Sequence, residues 1–280
     1  LYFGDETGSP GTILTFFPWA FVHRGRPGAG MVTATAFSVP ENSLGYWEDR
    51  LRKFGVPAER EGGQFDEEVL SFVDPDGMRL EIVGHANAGE PHPWHDADVA
   101  LEHSIRRFYS VTLSERGYEK TAELLSVMGF RKVGESGNRF RFDVGGGGEG
   151  ARVDVLCVSE APHGNMGAGS VHHVAFRVAN DAGQLAWRKL LIEKDVDVTP
   201  VRDRQYFQSI YFLEPGGVLF EIATDPPGFA KDEPVEALGE KLKLPPWLEP
   251  RRSRIEGILP SIEIHKPSAA TKAATKKEQL

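Results

Sequence analysis

The chain has 280 residues, 40% of them hydrophobic and 26% charged, with a formal net charge of -9, enough for two modest domains or one pseudo-symmetric one. The acidic balance argues against nucleic acid or an anionic membrane surface as partner, since both reward clustered Lys and Arg, and no apolar run approaches the roughly 20 residues that span a bilayer. The single cysteine, Cys157, excludes an intrachain disulfide framework and fits a reducing, cytoplasmic compartment; in the apolar run Val153 to Val158 it reads as a small buried hydrophobe.

The chain begins with Leu1, not Met, and residues 1–18 read as a strand, a Gly/Pro turn and a second strand. Phe140 to Val158 shows the same order, with Gly145 to Gly148 as the turn. There a strand (Phe108 to Leu113) and a helix (Tyr118 to Met128) come first. By that analogy the sequence starts in mid-module, with roughly 35 to 50 residues of a first unit expected in front of Leu1. The Gly run is a turn and not a phosphate loop, because no Lys-Ser/Thr follows it and no helix opens after it.

A second unit runs from Met31 to Val83, and its helix carries Leu44, Trp47, Leu51 and Phe54 at spacings of three and four, an apolar stripe that covers a sheet. Gly84 to Asp98 is rich in Gly, Pro and His; His85, His92 and His95 cluster there, and a polar surface loop explains them better than a second metal site. The third unit spans Ile105 to Val158. The fourth spans Val171 to Thr224, with a helix from Asp181 to Lys194 bearing Leu185, Trp187, Leu190 and Leu191. Helical patterns follow near Glu233 to Leu242 and Ile255 to Ile264. These boundaries give an N-terminal module pair at 1–83 with its first unit truncated, a linker at 84–104, a C-terminal pair at 105–225, an extension at 226–266 and a disordered, solvated tail at 267–280. The fold class is α+β: paired βαβββ modules forming two curved mixed sheets, helices on the outer faces.

An internal repeat supports the division. Met31 to Val39 aligns with Ser170 to Val178, and Asp74 to Val83 aligns with Glu214 to Ala223. The strand expected at Val171 to Val178 puts His173 on one face with Val171, Ala175 and Arg177; the strand at Val218 to Thr224 puts Glu221 beside Leu219 and Ala223. Both ligand-type side chains then look into one concavity. The earlier copy has Ala34 in place of His173 and Glu81 in place of Glu221, so one module is used twice and only the later copy holds both ligand types. Alone, a strand His or Glu is more often structural or solvated.

Paired βαβββ units, the string Val-His-His-Val-Ala-Phe and the later Leu-Phe-Glu-Ile-Ala-Thr-Asp resemble the vicinal oxygen chelate superfamily of glyoxalase I, bleomycin-resistance proteins and extradiol dioxygenases. Within it, Val198 to Phe212, the leading Tyr-Phe-Gly-Asp, Phe-Phe-Pro-Trp and Asp-Pro-Pro-Gly-Phe look like the hydroquinone-type ring-cleaving dioxygenases, over almost the whole chain to about Ile264. The resemblance implies Fe(II), with Mn(II) as an alternative, held by two His and one carboxylate, of which His173 and Glu221 match two. The family's remaining His lies on the first strand of the first unit, which is not in this sequence. His103 and His163 are the nearest substitutes, but neither sits on a strand in the matching position. The resemblance further implies His172 beside the ligand as an acid/base group, Tyr211 as a proton donor or oxygen-orienting group, and Arg204 as its partner or an anion clamp. A core histidine, a strand aromatic and a solvated loop charge are the plain alternatives for these three. The activity implied is extradiol-type cleavage of a small aromatic diol by O₂, with a homo-oligomer left open. The other readings are a glyoxalase-like metal-dependent isomerase or lyase, and a metal-free small-molecule-binding protein of the resistance type.

Overall fold

The structure, a computed structural model, describes residues 1–19, 21–62, 65, 67–94 and 98–260. The sequence-expected tail at 267–280, the end of the pattern at 255–264 and His95 lie outside them. A short ribbon of β1 (Tyr2–Phe3) and β2 (Leu14–Thr15) opens the chain. The second unit follows as β3 (Met31–Pro40), α1 (Leu44–Lys53), β4 (Ala58–Gly62), β5 (Glu68–Val73) and β6 (Arg79–His85). The third comprises β7 (Phe108–Glu115), α2 (Glu119–Val127), β8 (Phe130–Ser136), β9 (Arg139–Val144) and β10 (Arg152–Cys157). The fourth comprises β11 (Val174–Val178), α3 (Asp181–Glu193), β12 (Arg202–Asp203), β13 (Gln208–Leu213) and β14 (Leu219–Thr224), and α4 (Arg252–Glu256) comes last.

In each complete unit the last strand returns parallel to the first, so that the order is first, last, third, second. The second and third units join through antiparallel β3 and β7 into one eight-stranded sheet, β4-β5-β6-β3-β7-β10-β9-β8; the fourth forms the four-stranded sheet β11-β14-β13-β12. Hydrogen bonding therefore crosses the 84–104 segment and unites the second unit with the third.

The repeat recurs in register. Ala36 pairs with Glu81 across β3 and β6, and Ala175 pairs with Glu221 across β11 and β14. The turns before the last strands match too. Asp74 accepts from the backbone N–H groups of Asp76 and Met78, and Glu214 from those of Gly216 and Val218. These acids organise tight turns by occupying amide donors that the ladder leaves free.

Apolar side chains of β7 to β10, α2, α3, β13 and β14 merge into one core that includes Leu113, Leu125, Phe142, Leu191, Phe212 and Phe220. Asn180 caps α3 by accepting from Gly183 N at 2.9 Å. Gln184, buried on the same helix, donates to the carbonyls of Gln208 and Ile222, each at 2.8 Å, which fixes α3 against β13 and β14. A second join holds the two sheets together: residues 23–29 and 162–168 exchange backbone hydrogen bonds, including Gly25 N to Ala168 O at 2.8 Å and Gly164 N to Ala29 O at 3.0 Å. This contact requires glycine. A Cβ on Gly28 would lie 2.5 Å from both Gly164 N and Pro162 O.

Two sequence expectations need correction. The strand carrying the two histidines begins at Val174, not Val171. In the stretch expected to be helical, 233–242, only Val235–Ala237 forms a single 3₁₀ turn, because Pro234 and Gly239 punctuate it. No helix among the described residues is long and apolar enough to cross a membrane.

Candidate metal and acid/base site

The fourth unit brings the sequence-expected residues together. Glu221 is buried on β14, and His173 immediately precedes β11, whose ladder to β14 begins with Val174 opposite Phe220. The imidazole Nε2 of His173 lies 2.7 Å from Oε2 of Glu221. Opposite Glu221, β13 places Tyr211 directly across the ladder, and its hydroxyl donates to Oε1 at 2.9 Å. Ser209, two residues earlier and so on the same face, also donates to Oε1. Arg204 Nε donates to the Tyr211 oxygen at 3.0 Å, its guanidinium lying over the Tyr211 ring 5.1 Å from the centroid. Arg204 is thus the partner of Tyr211.

His172 and His173 meet through their Nδ1 atoms at 2.8 Å. Successive side chains of a regular strand point to opposite faces, so this contact needs the irregular backbone that ends at Val174. One Nδ1 donates and the other accepts, which couples the tautomers of the two rings.

The electrostatics follow from this packing. Burial alone would raise the Glu221 carboxyl, but its contacts with His173, Ser209 and Tyr211 outweigh burial and hold it below its ordinary value. Burial and the adjacent Glu221 charge push the Tyr211 phenol up to about 12, against the opposing pull of Arg204. Burial, and then the neighbouring His173, lower His172. Both disfavour its charged imidazolium form.

These donors suit a divalent ion. Oε1 of Glu221 is engaged by two hydroxyls, which leaves Oε2 to the His173 Nε2. Two ligand atoms about 2.1 Å from one ion lie roughly 3 Å apart in adjacent positions, close to the 2.7 Å seen. Among the described residues, no cluster of three or more His, Cys, Asp or Glu could hold a metal. His103 bonds Ser43 at 3.1 Å and stacks on Tyr46, while His163 pairs with Ala29 in the inter-sheet join. Neither joins the pair. His85 is taken up by Ser38 and Glu149 on the eight-stranded sheet.

His172, His173 and Glu221 open onto a cavity of about 1030 Å³ that Phe17, Trp19 and Phe207 also line. Tyr211 and Arg204 are not among its lining residues. Sequence reasoning missed Ser209, although its two-residue offset from Tyr211 places it on that face, and it missed Phe17 and Trp19, which come from a different unit.

The other two complete units hold a carboxylate at the same ladder position. Glu81 lies opposite Ser71 and accepts from Arg79 Nε at 3.1 Å. Asp154 lies opposite Arg141, which clamps it through Nε at 2.8 Å and Nη2 at 2.9 Å. The first-strand position of His173 is Ala34 in one and Ser110 in the other.

No family model matches the chain. It is 46% identical over 262 residues, 93% of this chain and 83% of the relative, to MhqO of Bacillus subtilis (strain 168), a protein named as a ring-cleaving dioxygenase. It is 36% identical over 256 residues, 89% and 79% of the two chains, to the chlorohydroquinone/hydroquinone 1,2-dioxygenase of Sphingobium indicum. A crystal structure from Bacillus subtilis subsp. subtilis str. 168, named as a dioxygenase, superposes with a TM-score of 0.90 at 44% identity, covering 95% of this chain and 85% of that one. A glyoxalase I variant from Zea mays superposes with a TM-score of 0.52 at 15% identity over 75% and 71% of the chains, which shows the shared fold alone.

Proposed function

We propose that this chain, which belongs to the ring-cleaving dioxygenase family within the vicinal oxygen chelate superfamily, performs extradiol-type cleavage of a hydroquinone- or catechol-like diol by O₂, with Fe(II), or alternatively Mn(II), held by His173 and Glu221. The observation that carries this reading is the meeting of an imidazole nitrogen and a buried carboxylate oxygen at 2.7 Å on the wall of a cavity. The hydroquinone named for the Sphingobium relative supports the choice of substrate class. When bound, the metal supplies adjacent coordination positions and electron exchange between diol and O₂, which spin otherwise forbids.

The chain's own residues supply the rest. A diol hydroxyl loses a proton as it binds, and in this reading His172 takes it once its Nδ1 parts from His173, because a His173 that ligates through Nε2 carries its proton on Nδ1 and occupies the His172 lone pair. The proton can return from the same ring as the product opens. Tyr211 donates to Glu221 Oε1 and is held by Arg204, so in this reading it acts by orienting the carboxylate's other oxygen. Ser209 performs the same service from the buried side.

The test is O₂ consumption by protein loaded anaerobically with Fe(II), given hydroquinone or catechol and then air, alongside iron stoichiometry. Uptake with a new absorbance from an opened ring is expected. Bound iron without uptake on any diol, together with turnover of a thiol adduct, would replace ring cleavage by the isomerase reading; tight diol binding with neither would leave a binding protein.

A further inference from the structure

After β2 the chain runs Phe16-Phe17-Pro18-Trp19. Trp19 N donates to Phe17 O at 2.8 Å, a three-residue turn closed around a proline whose ring fixes φ. The turn folds the two flanking side chains together: the Phe17 and Trp19 rings stack with centroids 5.1 Å apart at 22°. Both then reach His172, at 5.7 Å from Phe17 and 6.3 Å from Trp19. Both line the cavity that contains His173 and Glu221. Aromatic rings on the wall of such a cavity offer an apolar face to what enters it. Phe17 offers no hydrogen bond and Trp19 a single N–H, so what this surface recognises is a flat π face, not a polar chain.

We infer that Phe17 and Trp19 form the wall on which the aromatic ring of the substrate stacks, and that this pair determines how tightly, and against which side of His172, the ring is held. The inference rests on the aromatic-diol reading above. A ring lying along this wall has His172 at its edge, where a hydroxyl can reach the imidazole. Offset stacking at centroid separations of 4.5–7 Å contributes beyond simple area burial, and a Pro-locked turn lets the wall bind without ordering a loop.

Calorimetric titration of the full chain under anaerobic conditions tests this, because ring binding is then read without turnover. The probes are hydroquinone and cyclohexane-1,4-diol, which carry the same two hydroxyls with and without a π face. Phe17→Leu and Trp19→Leu should each weaken hydroquinone binding by roughly 3- to 10-fold, leave the cyclohexane diol unchanged, and retain the wild-type melting temperature. Trp19→Phe should restore most of the affinity. In the aerobic assay the Leu variants should raise KM with little change in kcat. Equal hydroquinone affinity in wild type and both Leu variants would overturn the wall and leave the diol reading intact. Weakening that extends equally to cyclohexane-1,4-diol, or that Trp19→Phe fails to rescue, would reduce the pair to local packing. No binding of hydroquinone by the wild type would overturn wall and diol reading together.

Discussion

The end of β7 contains a carboxyl group whose proton count is fixed by geometry. Glu115 and Glu214 are both buried, and the Thr121 hydroxyl lies 2.6 Å from an oxygen of one and 2.7 Å from an oxygen of the other. One hydroxyl has one proton to give. Glu214 already accepts from two backbone N–H groups, and Glu115 completes the chain if it is protonated and donates to Thr121. Burial, and then repulsion from Glu214, push Glu115 up to about 8. The acidic group facing it is Glu214, and the Cys157 thiol lies across the ladder. The unfolded chain releases this proton near pH 4.5 while the folded chain keeps it, so the native state binds more protons and stability falls with rising pH across that window. The contribution is fully present below pH 4.5, declines by ~1.4 kcal/mol per pH unit, and is exhausted above about pH 8. The total is on the order of 5 kcal/mol, a large share of the ~5–15 kcal/mol that holds a domain together. Glu115→Gln keeps the shape and removes the titration. Urea unfolding at pH 5, 6, 7 and 8 should show wild type losing several kcal/mol more than the variant as pH rises. Parallel stability curves for the two proteins would refute the neutral Glu115.

At the proposed metal site, Glu221→Gln should lower bound iron and O₂ uptake together, measured by iron stoichiometry after gel filtration and by oxygen electrode; full iron with wild-type turnover would remove Glu221 from the ligand set. Tyr211→Phe should keep the fold and weaken iron binding by about 10- to 100-fold, the usual effect of deleting a partner of a ligand. Unchanged iron affinity with a ~100-fold loss in turnover would instead make the phenol a proton donor. Tyr211→Arg places before Glu221 the guanidinium that Asp154 meets in the third unit, so iron should be lost although His173 and Glu221 remain; retained iron in a folded variant would count against the ion-pair explanation of the silent copies.

Much of this arrangement could be read from the residues, and the part that could not has physical causes. The repeat was legible because turn-forming acids and apolar alternation must recur wherever the same ladder recurs: Asp74 and Glu214 hold the same kind of turn, and Glu81 and Glu221 fall in the same register. His173 and Glu221 were legible for that reason. The contact between His172 and His173 was not, since a period of two forbids neighbouring side chains from meeting and only the loss of strand geometry before Val174 permits it. Nor could alternation along one unit show which unit its edge would pair with. The β3 to β7 ladder is a contact between chains of hydrogen-bond donors and acceptors that any edge strand presents. The clasp at Gly28 and Gly164 escaped for a related reason, because its requirement is space between two distant backbones.

The same ladder position carries Glu81, Asp154 and Glu221, so possession of a buried carboxylate does not distinguish the copy proposed to hold the metal. Its partners do. A buried carboxylate must be compensated, and in the second and third units the compensation is a guanidinium: Arg79 for Glu81, and the two-pronged Arg141 for Asp154. Arginine keeps its charge at any working pH, occupies the oxygen lone pairs and repels a second cation. In the fourth unit the cross-strand residue is Tyr211 and the first-strand residue is His173, neither of which need carry a charge. Two hydroxyls hold one oxygen of Glu221 while the other meets an imidazole whose lone pair can equally face a metal. The negative charge is thereby left available to an ion, and among the three complete units described this is the one whose carboxylate no arginine side chain closes.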